Sequence, residues 1–446
     1  MIGTGYLGAT HAAAMAELGH EVLGVDTDSA KIAALSTAQL PFFEPGLPEL
    51  LHKNIECERL HFNTNYDRAA EFAQFHFIGV GTPQLKGSFA ADTTYVGQAV
   101  SELARRVQGH HTVVGKSTVP VGTAEEVQKL ADDILGERGL DPIEHSLTVV
   151  WNPEFLREGK AVDDSLQPDR IVLGLPGAGR GAGVELAKER FHECFAEVIN
   201  RGTPLITTDL ATAELVKVTA NAFLATKISF INAVSEICEV AGADVTTVAD
   251  AIGMDQRIGR HFLNAGLGFG GGCLPKDIRA FMARAGELGV DQALTFLREV
   301  DAINMRRREK TVELVKQQSG GSVLGSTVAV LGAAFKPNSD DVRDSPALSI
   351  AGALSLAGAS VQVYDPEAME NAKKVFPTLA YSSSIEDALA GADVVVVATE
   401  WQQFQQIDPS EAAELVRHQV VVDGRNCLPL DRWEAAGWKV TCLGRG

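Results

Sequence analysis

Cys273 closes the most unusual stretch of the chain, Gly266-Leu267-Gly268-Phe269-Gly270-Gly271-Gly272, in which five of seven residues are glycine. So many glycines carry a heavy entropic cost, tolerated where backbone must approach a ligand or take up positive φ. A lone cysteine is ordinarily a small buried hydrophobe. Here the loop argues otherwise: a thiol at its end is presented to a pocket, and Asp277, four residues on, sets a carboxylate about one helical turn away. Such a thiol suits covalent chemistry. Lys217 and Asn221 are also four residues apart, in an Ala-rich stretch that reads as helix, and so share a face. A lysine among Leu, Val and Ala there either snorkels or meets an anion.

A second chemical pattern stands at the start. Gly3-Thr4-Gly5-Tyr6-Leu7-Gly8 fits G-x-G-x-x-G, whose glycines permit a tight turn, close approach of backbone N–H groups to a pyrophosphate, and close helix packing. The helical run Ala9 to Leu18 and the strand Glu21 to Val25 follow, and Asp26 lies eighteen residues beyond Gly8. A carboxylate there accepts hydrogen bonds from a ribose 2′-hydroxyl and repels a 2′-phosphate, which favours NAD over NADP. Only Met1 and Ile2 precede Gly3, so the strand that should enter this loop is expected to be truncated. Gly115-Lys116-Ser117-Thr118 imitates the end of an ATP-binding loop, but Gly109 is one residue too far away for G-x-x-x-x-G-K-[ST], and a strand separates the glycines. ATP hydrolysis is not expected.

The elements that must position these residues follow from the apolar pattern. Val- and Ile-rich runs at His20 to Val25, Phe75 to Val80, Thr112 to Gly115 and Leu147 to Val150 alternate with helical patterns, the mark of a parallel sheet wrapped by helices. From Thr208 to Val240 the chain lacks Pro and Gly and is apolar on nearly every face, which predicts a buried helix and a subunit contact. After a break at Ser319 to Ser326, a second α/β segment has strands at Val328 to Leu331, Ser360 to Tyr364, Asp393 to Ala398 and Gln419 to Val422. The two ends share a loose order: a strand closing on an acid (Asp26, Asp365), one closing near a threonine (Thr82, Thr399), and a run closing on a base (Lys116, Arg425).

Composition narrows the classes. With 39 Lys and Arg against 58 Asp and Glu among 446 residues, the formal charge is −19, which disfavours a nucleic-acid backbone. The longest apolar runs are far too short to span a bilayer, and neither a signal nor a transit peptide is read at the start, so the cytoplasm is the expected compartment. The six cysteines are scattered and expected to be free thiols, and the eleven histidines offer no metal-binding spacing, so no metal is expected.

Taken together with GTGYLG at Gly3, the runs PFFEPGL at Pro41, VGTPQ at Val80, KSTVPVGT at Lys116, NPEFLREG at Asn152, PDRIVLG at Pro168, DQRIGRHFL at Asp255, GFGGGCLPKD at Gly268 and AFKPNSDDVRDSP at Ala334 resemble the UDP-glucose/GDP-mannose dehydrogenase family, from Gly3 to about Asn426. The resemblance implies an α/β chain: an NAD-binding Rossmann domain over residues 1–200, an all-helical dimerisation domain with a long central helix and the Cys loop over 201–318, and a Rossmann-like domain for the nucleotide sugar over 319–446. It implies oxidation of a sugar C6 alcohol to a carboxylate, with NAD as cofactor, a thiohemiacetal and a thioester on Cys273, and a homodimer or higher homo-oligomer. UDP-glucose is the expected sugar, with GDP-mannose or a UDP-N-acetylhexosamine as alternatives. Lys217 and Asn221 take the role of stabilising oxyanion charge; Thr118, Glu154 and Asp277 that of positioning water and managing protons. For the cofactor the resemblance adds Lys31, Thr82, Thr118, Glu158 and Arg343 to Gly3, Gly5, Tyr6, Leu7, Gly8 and Asp26. For the substrate it implies Glu154, Leu156, Lys217, Asn221, Arg257, Phe262, Asn264, Gly268, Phe269, Gly270, Phe335, Lys336 and Arg425, with Arg257 reaching across the dimer. Gly272, where Ser is frequent, and Leu274, where Phe is frequent, depart from the pattern.

Overall fold

The Val- and Ile-rich runs form the sheets, as the sequence predicts, in a computed structural model that describes residues 1–177 and 181–445. The chain divides into two units, Met1–Ala220 with Arg279–Leu288, and Asn221–Ile278 with Gly289–Gly446. Among the described residues no helix is long and apolar enough to cross a membrane.

The first unit holds seven strands: β1 (Val22–Val25), β2 (Leu60–Asn63), β3 (Phe75–Ile78), β4 (His110–Gly115), β5 (Ser146–Trp151), β6 (Ile171–Leu175) and β7 (Leu205–Asp209). β1 pairs with β2, and β3 to β7 follow one another in a five-stranded sheet. Ile2 joins the two pieces by parallel bridges to Val25 on one side and Ile78 on the other. The strand that enters the glycine loop is Ile2, with its N–H on Phe77 O (2.7 Å), its O accepting from Gly79 N–H (2.9 Å), and Gly3 N–H on Val25 O (2.8 Å). The order β2-β1-Ile2-β3-β4-β5 is the doubly wound 3-2-1-4-5-6 arrangement, whose ligand crevice lies where the order reverses, beside Ile2 and β3. Pairing is parallel except at β5 and β6, which meet antiparallel at Trp151 and Gly174, where the expectation was of parallel strands.

The second unit repeats the plan with β8 (Thr327–Leu331), β9 (Ser360–Tyr364), β10 (Ala380–Tyr381), β11 (Val394–Val397), β12 (Val420–Asp423) and β13 (Lys439–Cys442). Their order, β10-β9-β8-β11-β12-β13, is again 3-2-1-4-5-6, parallel throughout. The residues of β11, Val394 to Val397, are buried on both faces, as a central parallel strand requires.

The long helix runs Leu210–Ala241. It is not buried all round, as its composition suggested: Ala222, Ala225 and Ile231 are buried, whereas Phe223, Phe230 and Ile237 are 65%, 55% and 67% exposed. Those three recur every seventh residue and therefore form one stripe. An apolar helix buries the face that meets its own core and leaves the other for something else.

Candidate active site

In the first unit the glycine loop is held by contacts that only glycine allows. A Cβ on Gly8 would lie 1.8 Å from Gly3 O and one on Gly3, at φ +83°, 2.9 Å from Val80 Cγ1, whereas Gly5 faces open space. Gly5 caps the helix Tyr6–Glu17, which Tyr6 and Leu7 open, so backbone N–H groups of its first turn face a clear approach. Asp26, at the end of β1, accepts from Thr4 N–H (2.9 Å), Thr4 Oγ1 (3.1 Å) and Lys31 Nζ (2.9 Å). Burial pushes its carboxyl up, but the bonds from Thr4, Lys31 and the Asp28 N–H outweigh it and hold the group below its ordinary value. A clear helix N-terminus with a charged aspartate at the neighbouring strand end suits the pyrophosphate and ribose of NAD.

Behind this loop Thr82 Oγ1 donates to Thr118 O (2.8 Å), tying the ends of the β3 and β4 loops together. Lys116 is buried and bonds Asn152 Oδ1 and Glu154 Oε2, both at 2.8 Å. Its ammonium is thus shared between these two side chains. The other oxygen of Glu154 accepts from Phe155 N–H (2.8 Å). Phe155 carries Arg170 over its ring (3.9 Å from Cζ to centroid) and Lys217 Nζ at 5.3 Å. Lys217, only 9% exposed, is thereby placed on an aromatic face with no room to snorkel. Leu156 and Glu158 lie on the same Asn152 to Gly159 loop, both half-buried.

In the second unit the thiol loop is clamped along its length. Gly266 N–H meets Asn232 Oδ1 (2.9 Å) and Gly266 O accepts from Arg307 Nε (3.2 Å). The Asn304 amide grips both backbone groups of Phe269, Oδ1 accepting at 2.7 Å and Nδ2 donating at 3.0 Å, and Arg308 adds a bond to Phe269 O. A Cβ on Gly268, at φ +94°, would lie 2.3 Å from Asn304 Oδ1, so this grip demands glycine. A Cβ on Gly270 would lie 2.4 Å from Asp344 O, and one on Gly271 2.8 Å from the ring of Phe335. Cys273 is exposed and directly precedes the helix Leu274–Glu287, where its O accepts the Asp277 N–H at 2.9 Å. Asp277 is buried, bonded by Asn221 Nδ2 (2.6 Å) and paired with Lys276 (2.7 Å). Two expected catalytic residues, Asn221 and Asp277, are thus in direct contact.

The expected substrate residues differ in their freedom. Arg425 spends its guanidinium on Ala398 O (2.8 Å), Gly268 O (3.2 Å) and Phe335 O (3.1 Å), holding the loops of β11, β8 and the thiol segment in register. Lys336 lies 5.4 Å from the Phe335 ring. Arg343 bonds Asp341, and its guanidinium fills the space a Cβ on Gly272 would need, 2.2 Å from Cζ. Arg257, whose side chain is 88% exposed, pairs with Asp255, while Asn264 accepts from Arg260 (2.7 Å) and Phe262 sits exposed at φ +66°. Sequence reasoning missed Asn232, Asn304, Arg307 and Arg308. The cluster Asn304, Arg307 and Arg308 has the i, i+3, i+4 spacing of one helix face, the one available signal.

The chain matches models of the UDP-glucose/GDP-mannose dehydrogenase family in order: its NAD binding domain over residues 1–195, its central domain over 211–306 and its UDP binding domain over 329–430. A UDP-glucose 6-dehydrogenase of Rhizobium meliloti is 42% identical over 446 residues, covering 100% of this chain and 99% of the relative. One from Bacillus subtilis is 40% identical, covering 100% and 97%. The solved UDP-glucose dehydrogenase from Pyrobaculum islandicum is similar with a TM-score of 0.86 at 38% identity, covering 96% of this chain and 93% of that one. Such likeness, unbroken from the dinucleotide loop through the thiol loop to the second sheet, makes the chain a member of the UDP-glucose/GDP-mannose dehydrogenase family, an NAD-dependent oxidoreductase.

Proposed function

We propose that this enzyme oxidises C6 of UDP-glucose to the carboxylate in two successive two-electron steps, with Cys273 holding the carbon between them. The observation that carries the reading is the thiol itself: exposed, at the end of a loop fixed by Asn232, Asn304, Arg307 and Arg308, and directly before a fourteen-residue helix. The names of the relatives from Rhizobium meliloti, Bacillus subtilis and Pyrobaculum islandicum support the sugar. NAD⁺, when bound by Gly3 to Gly8, Asp26, Lys31, Thr82, Glu158 and Arg343, accepts a hydride, and one sugar consumes two. Lys217 and Asn221 stabilise negative charge on the C6 oxygen. The Cys273 thiolate adds to the C6 aldehyde, forming a C–S bond while the carbonyl oxygen takes up a proton. That adduct retains a hydrogen on C6 and so can be oxidised again, to a thioester. Water, positioned by Thr118, Glu154 and Asp277, attacks the thioester; the C–S bond breaks, the carboxylate leaves and the thiol is restored. Leu156, Phe262, Asn264, the Gly268 to Gly270 backbone, Phe335, Lys336 and Arg425 line the sugar-nucleotide site, with basic side chains for its phosphates.

The chain works as a homodimer or larger homo-oligomer through the stripe Phe223, Phe230 and Ile237, with Arg257 exposed enough to serve a partner's substrate. Its six cysteines, free of disulfides among the described residues, support a reducing compartment, the cytoplasm. Titrating limiting UDP-glucose tests the chemistry: two NADH per sugar are expected, and one NADH with free aldehyde in solution overturns the covalent scheme. Faster turnover of GDP-mannose or a UDP-N-acetylhexosamine overturns the sugar assignment.

A further inference from the structure

The PFFEPGL run is a motif of the family resemblance for which the chemistry above has no use. Its Glu44 is 2% exposed, deeper than any free carboxylate should lie. No lysine or arginine pairs with it in the described structure. Three neutral donors satisfy it instead: the Tyr6 hydroxyl and the Gly159 N–H (2.6 Å) on Oε2, and the Ala161 N–H (2.7 Å) on Oε1. Tyr6 is the first helical residue of the G-x-G-x-x-G segment, and its ring also meets Phe42 of the same run at 5.0 Å between centroids. Gly159, at φ +77°, directly follows Glu158 and ends the Asn152 to Gly159 loop. One carboxylate therefore ties the glycine loop to the loop that carries Glu154 and Glu158. Burial and the bond to Glu44 push the Tyr6 phenol up, as does the charge of Glu158, so Tyr6 remains a donor and Glu158 acts on it through space.

We infer that Glu44 is a positioning residue for NAD: it sets the spacing between the pyrophosphate-binding helix terminus and the Glu158 loop without itself touching the cofactor. The inference rests on NAD binding and not on which sugar is oxidised. An amide cannot replace the carboxylate, because its NH₂ would face either the Ala161 N–H or the pair Gly159 N–H and Tyr6. The full-length enzyme and its Glu44→Gln, Tyr6→Phe and doubly substituted forms are titrated with NADH by fluorescence, alongside steady-state KM values for both substrates. Glu44→Gln should weaken NADH binding about tenfold, with KM for NAD rising while KM for the sugar nucleotide and kcat stay within about twofold, and Tyr6→Phe should weaken NADH binding severalfold. The double variant should bind no worse than Glu44→Gln alone, because both act through one contact. Tyr6→Phe removes one hydroxyl and decides the matter even if Glu44→Gln fails to fold. Unchanged NADH affinity in Tyr6→Phe, additive losses, or equal rises in both KM values with a parallel fall in Tm would overturn the inference. Because NADH binding is read without turnover, failure here is distinct from failure of the thioester scheme.

Discussion

The two sheet domains run in the same strand order and each closes its second strand on an aspartate, but the two carboxylates are left in different states. Gly3 N–H meets Val25 O at the end of β1, and Gly332 N–H meets Tyr364 O at the end of β9, so Gly3 and Gly332, Asp26 and Asp365 are counterparts. One oxygen of Asp26 takes Thr4 and Lys31, while the other takes only the Asp28 N–H at 3.1 Å and keeps capacity for a ligand hydroxyl. Asp365, 1% exposed, accepts Ala333 N–H (2.7 Å), Ala334 N–H (3.0 Å) and Trp401 Nε1–H (3.1 Å) on one oxygen, and Glu367 and Ala368 N–H on the other. Five donors exhaust about four lone-pair sites. Ala334 also stands where the first domain has the open Gly5. The same strand plan has become a dinucleotide reader in one copy and a closed structural knot in the other. What separates them is the second oxygen, which one donor reaches in Asp26 and two in Asp365.

The comparison breaks most sharply at the thiol, because the proposed covalent chemistry rests on Cys273 in the second unit alone. In Cys273→Ser an alkoxide is far harder to form near neutral pH and an ester is a poorer acyl donor than a thioester. Turnover should fall about a thousandfold or more, with NADH affinity within about twofold and a bound aldehyde or ester visible by mass spectrometry. Near-normal turnover with two NADH per sugar would make the thiol structural. Asp365→Asn is the next largest effect, on stability: an NH₂ would face inward N–H donors, so unfolding free energy should drop by about 3 kcal/mol in urea titrations, with the NAD to NADP preference unchanged. A changed cofactor preference would mean that the second domain also reads a dinucleotide.

Local signals explain which parts were legible in the sequence. The strands β3, β4, β5, β8, β9, β11 and β12 announced themselves as Val- and Ile-rich runs, and the long helix was placed within two residues at its start and one at its end. β2, β7, β10 and β13 were not seen: β10 has only two residues, and Leu60–Asn63 mixes His and Asn into an edge strand whose outer face is wet. β6 lay within a quoted motif, yet its antiparallel turn against β5 is a tertiary choice that no local period encodes. The glycine loop, Asp26 and Cys273 were legible because their residue types are locally costly and so ask for an explanation. Asn304, Arg307 and Arg308 were not, because polar residues on a helix read as a solvated face until the loop they hold is in view. The difference between Asp26 and Asp365 was equally hidden, since both end a strand and each draws donors from a loop distant in sequence, 22 residues away for Asp26 and 31 to 36 for Asp365.

Asp26→Asn sharpens the comparison from the other side. Losing the charge removes repulsion toward a 2′-phosphate, and Lys31, already beside the carboxylate at 2.9 Å, would then face that phosphate directly. The ratio of kcat/KM for NAD over NADP should shrink about tenfold, roughly 1.4 kcal/mol, with a smaller loss of stability than in Asp365→Asn. Equal kcat/KM for the two cofactors in the unsubstituted enzyme would remove Asp26 from cofactor choice.

The smallest effect concerns a buried carboxylate that closes a loop in the first unit. Glu214 lies one turn before Lys217 on the long helix and accepts the N–H groups of Gly122 and Ala124, both at 2.7 Å, at the end of the KSTVPVGT loop. Burial pushes its carboxyl up to about 7; the two N–H bonds and Arg284 pull the other way, and Glu125 adds repulsion. The folded form therefore holds a proton where the unfolded chain, titrating near the ordinary glutamate value, does not. More protons bound in the native state mean that stability falls as pH rises, the reverse of a salt-bridged acid, and the fall is complete once pH passes the folded value. Between about pH 6 and about pH 8 this group alone should cost about 1 kcal/mol. Glu214→Gln cannot titrate, although it surrenders one of the two N–H bonds at every pH. The variant should accordingly be less stable than the parent at the acid end and recover about 1 kcal/mol relative to it at the alkaline end, read from urea midpoints. Parallel pH profiles would show that Glu214 is ionised in the folded enzyme throughout. Its two N–H bonds would then stabilise the anion as fully as the bonds from Thr4, Lys31 and Asp28 stabilise Asp26.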